Sequence, residues 1–134
     1  MKDSPIPQRT VVAAIIERNG TILICQRRRT DRHPLKWEFP GGKVEPGESP
    51  QAALERELEE ELAIQAHIGP ELTRGTHRYP GRAPILLIFY RVREFRGEPE
   101  NRVFEQIRWE APASLADYNF LEADTDILRT LALR

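Results

Sequence analysis

Two nearly continuous apolar runs near the start of the chain constrain its fold more than any other feature of the sequence. They read VVAAIIE (residues 11–17) and TILICQR (residues 21–27), and Arg18, Asn19 and Gly20 lie between them. An Asn-Gly pair between two runs rich in β-branched residues is typical of a tight β-hairpin. Strands that are apolar at successive positions are covered on both faces, whereas strands with one solvated face alternate. The chain is therefore predicted to contain a sheet that other elements cover on both sides.

Further strands and two helices are predicted along the rest of the chain. Ser49 followed by Pro50 is a typical helix start, with serine as N-cap and proline in the first turn, so one helix is predicted from about Pro50 to Leu62. Residues 122–133 read as an amphipathic helix with acids in its first turn. Strand-like segments are predicted at residues 37–39, 64–79 (interrupted at Gly69-Pro70 and Gly75), 83–95 and 106–109. Mixed strands with two well-separated helices predict an α/β fold in which a sheet lies between helices.

The segment PGGKVEPGES (residues 40–49) separates the hairpin region from the first helix. Its density of glycine and proline predicts a structured loop with no regular element. Gly41 and Gly42 would let the backbone approach a ligand closely, with a carbonyl for a metal ion or an N–H for a phosphate. An ordinary glycine-rich turn is the alternative, and the loop alone leaves both open.

Composition indicates one ordinary globular domain. The 134 residues, 40% of them hydrophobic, predict a single domain over residues 1–134 with a core of its own. The net charge of −1 provides no overall field that favours nucleic acid or an anionic membrane. Cys25 is the sole cysteine and is predicted to be a small core residue. There is no apolar signal segment, and the longest apolar run, residues 85–90, is too short to span a bilayer, so a cytoplasmic location is expected.

The segment ERELEEEL (residues 55–62) places five glutamates within two helical turns. Like charges at i,i+4 destabilise a helix by roughly 0.2–0.5 kcal/mol per pair, so the crowding needs an explanation. On a helical wheel Leu54, Leu58 and Leu62 form the core stripe. The glutamates divide into three on one flank, Glu57, Glu60 and Glu61, and two on the other, Glu55 and Glu59. A fully solvated acidic face is one interpretation, and a site for a hard cation such as Mg²⁺, which prefers oxygen ligands, is the other.

From Gly42 onward, the loop and helix together resemble a known family. The chain reads GKVEPGESPQAALERELEEELAI, which is similar to the Nudix box G-x5-E-x7-R-E-U-x-E-E-x-G-U, where U is a bulky apolar residue. Eight of the nine defined positions match: Gly42, Glu48, Arg56, Glu57, Leu58, Glu60, Glu61 and Ile64. Ala63 replaces the glycine of the pattern. Because this position lies at the helix end, beyond the carboxylates, the departure bears on C-cap geometry more than on chemistry.

The resemblance implies an α/β/α sandwich with a mixed β-sheet, and hydrolysis of a nucleoside diphosphate linked to another group, with Mg²⁺ or Mn²⁺ as cofactor. By position, the metal would be held by Glu57, Glu60, Glu61 and the backbone carbonyl of Gly41. Glu57 would also help to deprotonate or orient the attacking water. Arg56 belongs to the same catalytic unit and is expected to orient it through salt bridges, with Glu48 in a similar supporting role. Metal ions neutralise a pyrophosphate and activate water, so this chemistry needs no serine or cysteine nucleophile.

The flanking segments resemble the MutT-type branch of the family, which removes pyrophosphate from nucleoside triphosphates, often damaged ones such as 8-oxo-dGTP. Arg27 matches a nucleotide-contacting arginine of that branch. Phe39 lies where an aromatic ring can line the base pocket, and Arg82 is a candidate contact to phosphate or base. A surface arginine, a core phenylalanine and a solvated loop arginine are the respective alternatives.

The segment YNFLEAD (residues 118–124) resembles the part of MutT-type enzymes that reads the base, with Asp124 in place of an asparagine. Ionised aspartate only accepts hydrogen bonds, so the exocyclic amine of cytosine or the N1-H/N2-H edge of guanine would suit it. N-capping of the last helix is the alternative role. A late metal-binding glutamate is usual in such chains, and Glu105 is the candidate, although its spacing to Trp109 leaves this open.

Three functions are compatible with these patterns. The leading one is a metal-dependent pyrophosphohydrolase of (deoxy)nucleoside triphosphates, with a small nucleotide as substrate, no membrane or stable nucleic-acid partner, and a monomeric or homodimeric state. The second keeps the chemistry but acts on a nucleotide sugar, a dinucleoside polyphosphate or the 5′ end of RNA. The third is a non-catalytic nucleotide-binding module, against which the intact acidic positions argue.

Overall fold

The computed structural model describes residues 9–132, in which strands dominate and two α-helices are present. The strands are β1 (Arg9–Arg18), β2 (Thr21–Gln26), β3 (Trp37–Glu38), β4 (Gly41–Lys43), β5 (Gln65–His67), β6 (Glu71–His77), β7 (Ile85–Val92), β8 (Glu94–Arg96) and β9 (Gln106–Glu110). The helices are α1 (Pro50–Leu62) and α2 (Thr125–Ala132), and two 3-10 helices span Pro112–Asp117 and Glu122–Asp124. No helix in this part of the chain is long and apolar enough to cross a bilayer.

The main sheet is mixed because β1 pairs in parallel with β7 and antiparallel with its other neighbours. The first half of β1 lies beside β4, and its last residues pair with β2. The predicted hairpin between β1 and β2 is confirmed, and both Asn19 and Gly20 take the positive φ angles that such a turn requires. The main strand order is β3-β2-β1-β7-β6, with β9 beside β2, while β5 and β8 form a separate two-stranded sheet.

Both faces of the sheet are buried, as the apolar runs predict. Val12, Ala14 and Ile16 belong to one core cluster together with the leucines of α1. Ala13 and Ile15 belong to the other cluster, which contains Ile127 and Leu131 of α2. The two helices therefore cover opposite faces of the mixed sheet and produce the expected α/β/α sandwich. Cys25 is fully buried in the first cluster, which confirms its predicted place in the core.

Helix α1 has the bounds that its capping residues predict. The Ser49 hydroxyl accepts a hydrogen bond from the Ala52 N–H at 3.1 Å, and Pro50 stands at the first position. The helix ends at Leu62, where Ala63 adopts the left-handed conformation with φ of 60°. Leu54, Leu58 and Leu62 are fully buried, so the core stripe is the one the wheel predicts.

The prediction that residues 40–49 contain no regular element is wrong. Gly41–Lys43 forms β4 and pairs with Val11, Val12 and Ala13 of β1. A Cβ atom at Gly41 would lie 1.9 Å from the carbonyl oxygen of Val12, so the glycine permits this close approach of two strands. Glycine here makes strand pairing possible, whereas the sequence pattern treats it only as a breaker.

Two further boundaries differ from the sequence prediction. The last helix begins at Thr125 and not at Glu122, because Glu122–Asp124 forms a 3-10 turn in which the Thr125 hydroxyl donates to the Glu122 carbonyl at 2.7 Å. The final residue of the predicted helix, Leu133, lies outside the described residues. In residues 64–79 the predicted interruption at Gly69-Pro70 is confirmed, since it separates β5 from β6, whereas the interruption predicted at Gly75 is wrong, because β6 continues through that glycine and pairs it with Leu87.

Candidate active site

The end of α1 lies directly against the two glycines of β4. The Gly41 N–H donates to Glu61 Oε1 at 3.1 Å. A Cβ atom added at Gly42 would lie 2.5 Å from the carboxyl carbon of Glu57, so that carboxylate occupies the space in which a side chain would stand. The strand pairing of β4 with β1 thus fixes a backbone edge onto which Glu57 and Glu61 both converge.

The carboxylates of Glu57 and Glu61 lie side by side. Burial raises the pKa of Glu61 well above its usual range, and the charge of Glu57 and a hydrogen bond between the two side chains act in the same direction. The Gly41 N–H opposes this rise by stabilising the ionised form. Two carboxylates so close together ionise readily only when a cation shares them.

Glu60 is placed differently from its two predicted partners. Its side chain is 59% exposed, and its carboxylate lies 3.4 Å from Arg56 Nη1. Glu55 and Glu59 are also exposed. The structure therefore brings Glu57 and Glu61 together and leaves Glu60 at the solvent margin of the pair.

Arg56 links the glycine-rich segment to the helix. Its guanidinium donates to both carboxylate oxygens of Glu48 at 2.7 and 2.9 Å, to the Lys43 carbonyl at 3.1 Å and to Glu57 at 2.8 Å. The hydrogen bonds from Arg56 lower the pKa of Glu48 to about 2. With its donors engaged in this way, Arg56 orients the Glu57 carboxylate, in agreement with the supporting role that the family resemblance implies.

The donor atoms at this edge fit a hard divalent cation. They are the carboxylate oxygens of Glu57 and Glu61, to which the family resemblance adds the backbone carbonyl of Gly41, and Mg²⁺ prefers oxygen ligands. Within residues 9–132, no three acidic, histidine or cysteine side chains form a complete metal cage. Mg²⁺ rarely uses such a cage, because water and substrate phosphates complete its coordination. The residues present therefore fit a metal that is held together with its substrate.

A cleft of about 310 Å³ lies beside this edge. Its lining includes Gly41, Gly42 and Glu61, together with Leu121 and Asp124. Arg27 and Phe39, both predicted as substrate contacts, also line it. Phe39 is only 4% exposed and also packs on Phe89 and Phe120, so its ring belongs both to the core and to the cleft lining.

Arg27 is held in an ion pair at the wall of the cleft. Its guanidinium donates to Glu38 at 3.1 Å and to the Arg32 carbonyl at 2.6 Å. Burial raises the pKa of Glu38, and the neighbouring Arg27 opposes that rise. Sequence reasoning missed Glu38, although a carboxylate between Trp37 and Phe39 in a short apolar strand is the signal that could have revealed it.

Asp124 is a buried residue of the cleft lining. It is 4% exposed, and its Oδ2 has no hydrogen-bond partner among the described residues. Burial raises the pKa of this carboxyl well above its usual range, with a contribution from the charge of Glu38. Tyr79, another residue that sequence reasoning missed, lines the same cleft, and its hydroxyl accepts from the Ala123 N–H at 3.3 Å.

Two other candidate residues lie apart from the cleft lining. The Arg82 carbonyl accepts a hydrogen bond from Arg78, and Arg82 is not among the residues that line the cleft. Glu105 begins the segment that leads into β9, and its carboxylate lies 3.7 Å from Arg29. The role of Arg82 in substrate binding therefore stays a prediction, and the metal role of Glu105 stays open.

Comparison with known proteins agrees with this geometry. A family model described as the NUDIX domain matches residues 6–131. The CTP pyrophosphohydrolase of Escherichia coli K12 is 41% identical over 125 residues, which cover 92% of each chain. The 8-oxo-dGTP diphosphatase of Haemophilus influenzae is 38% identical, with 90% of this chain and 89% of the other covered. A structure from work on MutT of Aliivibrio salmonicida and Vibrio cholerae superposes with a TM-score of 0.81 at 32% identity, over 95% of this chain and 98% of the other.

Proposed function

Because the chain belongs to the NUDIX family and is of the MutT type, we propose that it is a metal-dependent pyrophosphohydrolase of (deoxy)nucleoside triphosphates. It cleaves these substrates to a nucleoside monophosphate and pyrophosphate. The cofactor is Mg²⁺ or Mn²⁺, and the reaction belongs to the clearance of unwanted nucleotides from the cytoplasmic pool.

The observation that carries this proposal is the convergence of Glu57 and Glu61 on the glycine edge of β4, where Gly41, Gly42 and Glu61 line a cleft of about 310 Å³. When bound there, a divalent metal supplies charge neutralisation of the pyrophosphate and activation of water. Glu57 accepts the proton of the attacking water or orients it, and Arg56 holds that carboxylate in place. Gly42 lets the Glu57 carboxylate lie directly against β4, because no side chain stands between them.

The rest of the cleft lining recognises the nucleoside. Phe39 offers a ring edge to the base, and Arg27 contacts the nucleotide once it is released from Glu38. Asp124 has a buried oxygen with no hydrogen-bond partner within residues 9–132, which suits a base that presents N–H donors. The relatives named for CTP and for 8-oxo-dGTP both act on bases with such donors, so these two nucleotides are the first substrates to compare.

The test is pyrophosphate release from a panel of normal and oxidised triphosphates with Mg²⁺ and Mn²⁺. Glu57→Gln should lower kcat by about 100-fold or more, since it removes the charge that ligates the metal and directs water. Glu60→Gln should also lower kcat strongly if it joins the metal ligands. Glu55→Gln, an exposed neighbour on the same helix, is the matched control and should retain full turnover. Undiminished kcat in both Glu57→Gln and Glu60→Gln would refute the proposal.

A further inference from the structure

The carbonyl groups at the end of α1 are capped by a segment far away in the sequence. An α-helix leaves its last four carbonyls without partners inside the helix. Here the Glu100 N–H donates to the Leu62 carbonyl at 2.8 Å, and the Arg102 N–H donates to the Glu61 carbonyl at 3.1 Å. The Glu59 carbonyl accepts hydrogen bonds from the Arg102 guanidinium at 3.3 Å and from the Ala63 N–H. Residues 97–104, which we call the helix-end clamp, therefore satisfy most of these groups.

The helix-end clamp is itself anchored. The Asn101 side chain accepts from the Phe104 N–H at 2.8 Å and donates to the Phe104 carbonyl at 2.9 Å. Phe104 is buried in the core cluster that contains the α1 leucines. At the other end of the clamp, a Cβ atom at Gly97 would lie 3.1 Å from the Ala63 carbonyl, so the two segments pack closely there. Asn101 thus fixes the clamp to the core on which α1 rests.

The helix-end clamp contacts α1 beside the position at which this chain departs from the family motif. Ala63 stands in the left-handed region at φ of 60°, which glycine adopts at no steric cost and alanine does not. A helix that ends on such a strained residue frays more easily at its last turn. That last turn carries Glu60 and Glu61, and the Arg102 amide bonds to the carbonyl of Glu61 itself. The positive side chain of Arg102 also complements the negative end of the helix dipole.

We propose that Arg102 and Asn101 are positioning residues of the metal centre, which hold the last turn of α1 in place of the glycine that the motif has at position 63. This inference rests on the proposed function, since it concerns the carboxylates assigned to the metal. Glu61 keeps its bond to the Gly41 N–H only while the last turn keeps its pitch, and the helix-end clamp maintains that pitch. Neither Arg102 nor Asn101 is required to touch the nucleotide.

The primary test is Mn²⁺ binding to the full chain without nucleotide, measured by electron paramagnetic resonance. Arg102→Ala and Asn101→Ala should each weaken Mn²⁺ binding by about tenfold, as the loss of a supporting contact commonly does. They should lower kcat while the nucleotide KM at saturating metal changes by less than about twofold. The control is Arg129→Ala, because Arg129 forms a 3.8 Å ion pair with Asp126 on α2, just as Arg102 forms one of 3.8 Å with Glu100, but it lies on the other helix. Mn²⁺ affinities equal to that of the control would overturn the proposal, even if the variants melted at lower temperature.

A rescue experiment separates positioning from general stability. Ala63→Gly in the Arg102→Ala background should recover most of the lost Mn²⁺ affinity, because glycine ends the helix without strain and makes the clamp less necessary. Hydrogen exchange at the amides of residues 61–63 should accelerate in Arg102→Ala and slow again in the double variant. Absence of rescue would contradict the link between the clamp and Ala63. Failure of the wild-type protein to cleave any nucleotide would refute the proposed function alone, since Mn²⁺ binding is measured without turnover.

Discussion

At the residue scale, Asp124 is the side chain whose chemistry depends most on its surroundings. The same aspartate on the surface would be ionised and solvated, but here it is buried with one oxygen unpartnered among the described residues. Both burial and the charge of Glu38 raise its pKa. The folded protein therefore binds a proton at this site at pH values where the unfolded chain has released it. Sequence reasoning left N-capping and base reading as alternatives, because neither burial nor the neighbour Glu38 is visible in the local pattern.

This raised pKa predicts how stability depends on pH. Since the folded state holds the proton more tightly, the site costs stability as pH rises above the unfolded pKa of about 3.9, and the cost stops growing once pH passes the folded pKa. Asp124→Asn removes the titration, so its Tm should exceed that of the wild type at pH 7 to 8 and approach it near pH 4. Thermal unfolding across this range, with the exposed Asp117→Asn as control, checks the prediction. A difference in Tm that is constant with pH would contradict it.

At the scale of the element, β4 shows how two adjacent glycines serve different purposes. The sequence pattern indicated the helix α1 correctly, since its signals are local: a serine cap, a proline and a leucine stripe. It did not indicate β4, because the strand exists only through pairing with β1, which is about 30 residues away along the chain. Gly41 is needed for that pairing, whereas Gly42 is needed for the carboxylate of Glu57.

The two glycines are expected to respond differently to alanine. In Gly41→Ala the new Cβ meets the backbone of Val12, which has no room to move, so Tm should fall by many degrees. In Gly42→Ala the new Cβ meets only the flexible end of Glu57, so the fold should persist while kcat falls by roughly 10- to 100-fold and Mn²⁺ binding weakens. Gly75→Ala is the control because no atom lies within 4 Å of its Cβ position. Circular dichroism melting and pyrophosphate release distinguish the cases, and equal losses of Tm in the Gly41 and Gly42 variants would be the contrary result.

At the scale of the whole molecule, the cleft is assembled from segments that sequence patterns treat separately. The acidic group on α1 and the apolar strands were predictable because each follows a local period. The pairing of Arg27 with Glu38, and the approach of Tyr79 to Ala123, depend on how β2, β3, the β6–β7 connection and the 3-10 helix before α2 meet in space. The metal end of the site is thus largely encoded in one continuous stretch, and the nucleoside end is a product of tertiary packing.

Because the proposed carboxylate ligands of the metal lie on α1, metal binding is expected to stabilise the folded state. A ligand that binds only the folded state stabilises it by RT ln(1 + [L]/Kd), which is about 2.7 kcal/mol at 100 times Kd and corresponds to a rise in Tm of roughly 10 °C for a domain of this size. Mg²⁺ or Mn²⁺ should produce such a rise, because a cation relieves the repulsion within the Glu57 and Glu61 pair.

Glu60→Gln should reduce the rise, since Glu60 shares Arg56 with Glu57 and borders the pair. Glu59→Gln should leave it unchanged, because that side chain is exposed on the other flank of the helix. Melting curves with metal and with EDTA measure both effects, and equal behaviour of the two variants would mean that Glu60 is as remote from the metal as Glu59.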